Sequence, residues 1–117
     1  MRIGIDLDDT ICRTTEIVHN RVEKYAEKMK LNALDIMNDE VLKDEFFSEY
    51  LEDIYINVEI KRSVKEVIKR LKSRGNEIYI ITARTHTDKI EKITRKWLKE
   101  HEISIDYLIM DSYGDKR

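Results

Sequence analysis

Proline is absent from this sequence and glycine occurs only three times, so no Pro/Gly-rich linker divides its 117 residues. One domain is expected, near the small end of what buries a useful core. Cysteine occurs once, at Cys12, which excludes an intrachain disulfide and suits a reducing compartment. No apolar run approaches the ~20 residues that cross a bilayer. The opening Met1-Arg2-Ile3-Gly4-Ile5-Asp6 places an acid where a signal peptide needs an apolar stretch. The expectation is a cytoplasmic protein with no membrane partner. Neither sign of charge prevails, since 22 basic and 24 acidic residues leave a net charge of −2. That balance gives no general affinity for a nucleic acid polymer. The three histidines, His19, His86 and His101, lack metal-ligand spacing and are expected at the surface.

What remains is an ordinary globular composition, 41% apolar and 39% charged, with a mean hydropathy of −0.58. Ile3, Ile5 and Leu7 alternate in a short strand that runs into a cluster of acids. A helix is expected from about 15 to 30, with Ile17, Val18, Val22, Tyr25, Ala26 and Met29 on one face. The acidic stretch from 32 to 53 is helix-prone but less regular. From 63 to 74, Val64, Val67, Ile68 and Leu71 recur at helical spacing, and Gly75 stands where a helix stops. Ile78 to Ile81 reads as a buried strand. Asp88 and Glu91 open a further helix with Ile90, Ile93, Trp97 and Leu98 inward, and Tyr107 to Met110 is a third strand. This order implies an α/β fold with a parallel sheet. The interval between the first strand and the helix at 63 is too long for a simple crossover. An inserted helical cap is expected at about 14–60, leaving a core of 1–13 and 61–117.

Ligands of parallel α/β sheets bind beyond the carboxyl ends of the strands. Three polar clusters fall there: Asp6-Leu7-Asp8-Asp9-Thr10, Thr82-Ala83-Arg84, and Asp111 with the following loop to Lys116. Two aspartates two apart carry little weight in a chain with 24 acids, and such a loop also serves as solvation or as a helix cap. The context adds weight: an alternating strand feeds straight into the pair, a threonine follows it, and Ile-Thr-Ala-Arg ends the next strand.

Ile5-Asp6-Leu7-Asp8-Asp9-Thr10 resembles the first motif of the haloacid-dehalogenase (HAD) superfamily, Asp-x-Asp-x-Thr. Ile80-Ile81-Thr82-Ala83-Arg84 resembles the second, and Asp115-Lys116 the third. The segment from Leu51 to Arg84, with Trp97-Leu98 and Tyr107-Leu108-Ile109, is similar to the bacterial 5′(3′)-deoxyribonucleotidase-like branch. The resemblance implies a Rossmann-like sheet and a Mg²⁺-dependent phosphomonoesterase. By position, Asp6 would be the nucleophile and a Mg²⁺ ligand, with the Asp8 carbonyl as a second ligand. The Asp8 side chain would be the general acid/base, Lys116 a further positive charge, and Thr82 and the backbone N–H groups after it a phosphate cradle. Thr10 would steady the loop that carries Asp8. The implied substrate is a small phosphate ester, such as a (deoxy)nucleoside monophosphate.

Other residues keep two readings. Arg84 either orients phosphate or caps its loop and pairs with Asp88. Phe46, Phe47, Tyr50 and Tyr55 form either a base pocket or, as is favoured, the core of the cap. Cys12 is read as a small buried hydrophobe, and the basic helix at 61–74 as a solvated face. The family's fourth motif, acids after a strand beside the first, has no counterpart before Arg117, so carboxy-terminal strands are expected to be missing. Asp111 would lie two strand spacings from Asp6, roughly 9 to 10 Å, and is a poor substitute. An open edge on the first strand suits a homodimer. A truncated or non-catalytic phosphate-binding module is the alternative.

Overall fold

A computed structural model describes residues 1–110 of the chain. Asp111, Asp115 and Lys116, singled out above, lie outside the described residues. The elements are β1 (Arg2–Asp6), α1 (Thr14–Met29), α2 (Ala33–Asn38), α3 (Glu40–Asn57), α4 (Val64–Ser73), β2 (Glu77–Thr82), α5 (Asp88–Glu100) and β3 (Tyr107–Met110). The three strands form one parallel sheet in the order β1-β2-β3. The fold is therefore α/β, with three parallel strands and five helices among the described residues.

Side chains alternate across a strand, so the register decides which of them share a face. Ile3 stands opposite Ile78 and Ile5 opposite Ile80, and these point into the core. With Leu7, Ile11, Cys12, Val58, Ile68, Trp97, Leu98 and Ile103 they form a sheet-side apolar cluster. Val22, Tyr25, Ala26, Ile36, Phe46 and Ile54 form a second cluster among α1, α2 and α3, and Ile17 packs against both. Fully burying one such aliphatic side chain is worth about 1.5–3 kcal/mol.

The helix ends follow local chemistry. Asp39 ends α2 in an extended conformation and caps α3, its carboxylate accepting from the Val41 and Leu42 N–H groups. That single acid turns the irregular stretch after Asn32 into two helices. Gly75, at φ +86°, lets the chain reverse after α4 while the Asn76 N–H reaches the Leu71 carbonyl at 3.3 Å. Three positions differ from the sequence expectation. Met29 and Val67 sit at the margins of their apolar stripes and are 44% and 48% exposed, and Ile81, on the face of β2 turned away from the core, is 42% exposed.

The two stems of the helical segment are tied together. The Arg13 N–H donates to the Glu59 carbonyl and the Lys61 N–H to the Ile11 carbonyl, both at 2.8 Å, around a bridge between Cys12 and Ile60. The Trp97 indole N–H donates to the Val58 carbonyl at 2.8 Å, fixing the end of α3 against α5.

Candidate active site

The loop after β1 is wound around one carbonyl. Leu7 is fully buried, and its C=O accepts from the N–H groups of Ile11 (2.9 Å) and Cys12 (3.0 Å), with Thr10 further off at 3.4 Å. Asp9 takes the left-handed region at φ 64°, which aspartate tolerates better than most residues. This tight turn sets three consecutive side chains in different directions. Asp6 is exposed at the carboxyl end of β1. Leu7 points into the core, and Asp8 is half-buried and turned toward β2.

Asp9 serves the helix that follows. Arg13 at the start of α1 offers no side-chain cap, and the Asp9 carboxylate accepts instead from the Thr15 N–H (2.8 Å) and hydroxyl (2.7 Å). The Thr15 backbone bond, then its hydroxyl, with Lys61 adding positive charge, holds the Asp9 carboxyl below the usual range. Lys61 also donates to the Asp9 carbonyl.

Asp8 is held more completely. Its Oδ1 accepts from the Thr14 hydroxyl (2.7 Å) and from Nη2 of Arg84 (2.7 Å), and its Oδ2 from Nε of Arg84 (3.0 Å). Thr14 and Arg84 thus hold the Asp8 side chain, while Thr10, placed in the same loop, is exposed. Arg84, only 4% exposed, pairs with Asp8 and not with Asp88. Its Nη1 donates to the Thr94 hydroxyl at 3.0 Å, and the Tyr55 ring covers its guanidinium at 3.8 Å. Thr94 sits in the inner stripe of α5 because of that bond. Thr82 is 2% exposed and its hydroxyl accepts from the Arg84 N–H at 3.2 Å, so it shapes the loop, while Ala83 is exposed beside it.

Burial governs the neighbouring titratable groups. The Cys12 thiol is pushed up to about 12, chiefly by burial, with Arg84 acting in the opposite sense. Tyr55 is raised by burial first and then by the negative charge of Asp8.

The four cap aromatics divide. Phe46 is fully buried and packs against Tyr25, Phe47 and Tyr50 with ring centroids 5.0–5.6 Å apart, so these build the helical core. Tyr55 alone reaches the loops at the strand ends. A groove of about 660 Å³ lies instead between α1 and α2, lined by Thr14, Thr15, Val18, Val22, Leu34 and Met37. His101 is not a plain surface residue either: its ring stacks on Trp97 at 4.0 Å and bonds the Trp97 carbonyl.

No protein-family model matches the chain. A curated protein of Oceanobacillus iheyensis named "putative nucleotidase" is 29% identical over 118 aligned positions, covering 90% of this chain. The chain spans 61% of the length of that relative.

For a divalent cation, the oxygen donors on hand are the exposed Asp6 carboxylate and main-chain carbonyls of the loop. Such hard donors suit Mg²⁺, which keeps several waters and needs only one or two carboxylates. Among the described residues no three His, Cys, Asp or Glu side chains converge as a metal-binding group. No helix among them is long and apolar enough to cross a membrane.

Proposed function

We propose that the chain is a HAD-type phosphomonoester hydrolase acting on small phosphate esters, with (deoxy)nucleoside monophosphates the first class to test. The observation that carries the reading is the Asp8 carboxylate seated on Arg84 of the Thr82-Ala83-Arg84 loop, with Asp6 exposed at the carboxyl end of the adjacent parallel strand. The nucleotidase-named relative supports the same direction.

In this reading Asp6 attacks phosphorus, the ester oxygen leaves, and water then hydrolyses the aspartyl-phosphate. Asp6 suits attack because its carboxylate is exposed and, among the described residues, carries none of the bonds that occupy Asp8 and Asp9. Asp8 gives a proton to the leaving oxygen and takes one from the attacking water. The exposed Ala83 segment offers its backbone N–H to a phosphoryl oxygen, a preorganised donor that costs no reorientation. A carboxylate meeting a phosphate dianion is opposed by about 4 kcal/mol per charge pair at ~4 Å and an effective dielectric of 20. Mg²⁺, held by the Asp6 carboxylate and the Asp8 carbonyl with water completing its shell, would offset that repulsion when bound. Lys116 is assigned a further positive charge on resemblance alone. We place the leaving group toward the aliphatic groove between α1 and α2, which begins at the threonines that hold Asp8 and Asp9.

The test is phosphate release from a panel of nucleoside monophosphates with and without Mg²⁺. Mg²⁺-dependent release is expected, with a loss of three or more orders of magnitude in Asp6→Asn. Phosphate binding without release, equal in wild type and Asp6→Asn, would establish a non-catalytic module instead.

A further inference from the structure

We propose that Arg84 is the positioning residue for Asp8, and that Tyr55 holds it to that task, so that the helical segment aims the Asp8 carboxylate through the stack Tyr55-Arg84-Asp8. The proposal rests on the hydrolase reading above and assigns Arg84 away from phosphate.

Four of the five N–H donors of Arg84 have partners. Nε and Nη2 form a fork on Asp8 at 3.0 and 2.7 Å, and Nη2 also lies 3.9 Å from the Cys12 sulfur. Nη1 donates to the Thr94 hydroxyl. That hydroxyl donates its own proton to the Ile90 carbonyl at 2.8 Å, so it faces Arg84 only as an acceptor. With a side chain 2% exposed and an aromatic ring over its plane, the guanidinium has no open face for a phosphoryl oxygen. A planar fork seated on a carboxylate fixes the rotation of that carboxylate as well as its charge. Here it does more than hold. A carboxylate has about four lone-pair positions. Thr14 and Arg84 engage both on Oδ1, and Arg84 engages one on Oδ2. The atom left with a vacant lone pair is Oδ2, and that is the oxygen the clamp presents to a leaving group or a water.

Tyr55 belongs to the last turn of α3, and its ring excludes water from the outer face of the pair. Cation–π contact with a desolvated guanidinium depends on the ring face and not on the phenol hydroxyl. Phenylalanine should therefore serve at this position and alanine should not.

The experiment measures kcat and KM for phosphate release from the best nucleoside monophosphate of the panel, with Mg²⁺, in Arg84→Met, Arg84→Lys, Tyr55→Ala and Tyr55→Phe. A misplaced proton-transfer group costs on the order of a hundredfold. Both Arg84 variants are expected to lose about that factor in kcat with KM little changed. Lysine gives no rescue because it cannot form the fork. Tyr55→Ala is expected to lose about tenfold in kcat, and Tyr55→Phe to recover most of it. A raised KM at constant kcat in Arg84→Met would return Arg84 to phosphate binding, and an unchanged kcat would leave it a structural tie. If the Arg84 variants do not fold, the Tyr55 pair decides, since it leaves no buried charge unpaired. The Arg84 Nε–H signal in NMR reads the stack without activity. An inert wild type with a protected Nε–H ends the hydrolase reading and leaves a structural tie, whereas an unprotected one overturns the stack itself.

Discussion

Asp9 combines two roles whose contributions separate by substitution. Its carboxylate caps α1 from six residues away, and its backbone occupies the left-handed region at φ 64°. Losing a cap costs about 1 kcal/mol, and a β-carbon without a compensating side chain at positive φ costs about 1–2 kcal/mol. Asp9→Ala is therefore expected to lose about 2–3 kcal/mol and Asp9→Gly about 1. Asp9→Asn, which tolerates the conformation and keeps an acceptor, should lose a few tenths. Thermal denaturation of the three variants checks the order, and equal losses in all three would refute the division. At this scale the sequence showed that the segments Asp6 to Thr10 and Thr82 to Arg84 would follow β1 and β2, because strand, motif and loop are contiguous in it. It did not show the partner of Arg84, which lies 76 positions away in Asp8, nor the roles of Thr14 and Tyr55. Those depend on the turn around the Leu7 carbonyl and on where α3 ends, and neither leaves a periodic trace.

Between elements, Asp106 joins three of them at the approach to β3. Its carboxylate accepts from Lys72 of α4 (2.8 Å) and from the Ile78 N–H of β2 (2.7 Å), while its own N–H donates to the Ile78 carbonyl. The Lys72 bond first, then the Ile78 bond, lowers the Asp106 carboxyl below its ordinary range. A carboxyl depressed on folding contributes stability that is fully present above its unfolded value, about 3.9, and is lost as the pH falls through the folded value. Asp106→Asn keeps an acceptor for Ile78 and removes the charge. It should melt below wild type at pH 7, with the gap closing as the pH drops below about 4. A gap that persists at pH 2 would mean that the charge is not responsible. The helices α4 and α5 were legible because one face of each is buried and the other solvated, and the central strand because its apolar run is short and bounded by polar residues. The division between α2 and α3 was not, since a single capping acid makes it within a run whose apolar residues surround the helix on all sides.

The described residues form a slab of 52 × 34 × 20 Å, and its thinnest dimension is about what one sheet and one helical layer occupy. The consequence is visible in the register: the face opposite Ile78 and Ile80 carries Gly4, Tyr79, Ile81, Tyr107 and Ile109. Ile81, Tyr107 and Ile109 are 42%, 51% and 42% exposed, and the Tyr79 and Tyr107 rings stack at 4.6 Å with no further layer over them among the described residues. Parallel sheets occur almost always with both faces covered, and β1 adds an unpaired edge among the described strands. The chain is therefore expected to self-associate as its concentration rises, and Ile81→Lys with Ile109→Lys should shift sedimentation toward monomer with little change in melting temperature. The two routes to association separate by amide exchange in the associated state. Pairing through the β1 edge slows exchange along residues 3–7 and survives the lysines, whereas packing through the open face leaves that exchange unchanged and is abolished by them. The face route is the expected one, because two exposed isoleucines and a tyrosine pair present apolar surface, while the exposed residues of β1 are Arg2, Gly4 and Asp6. A concentration-independent monomer would exclude both.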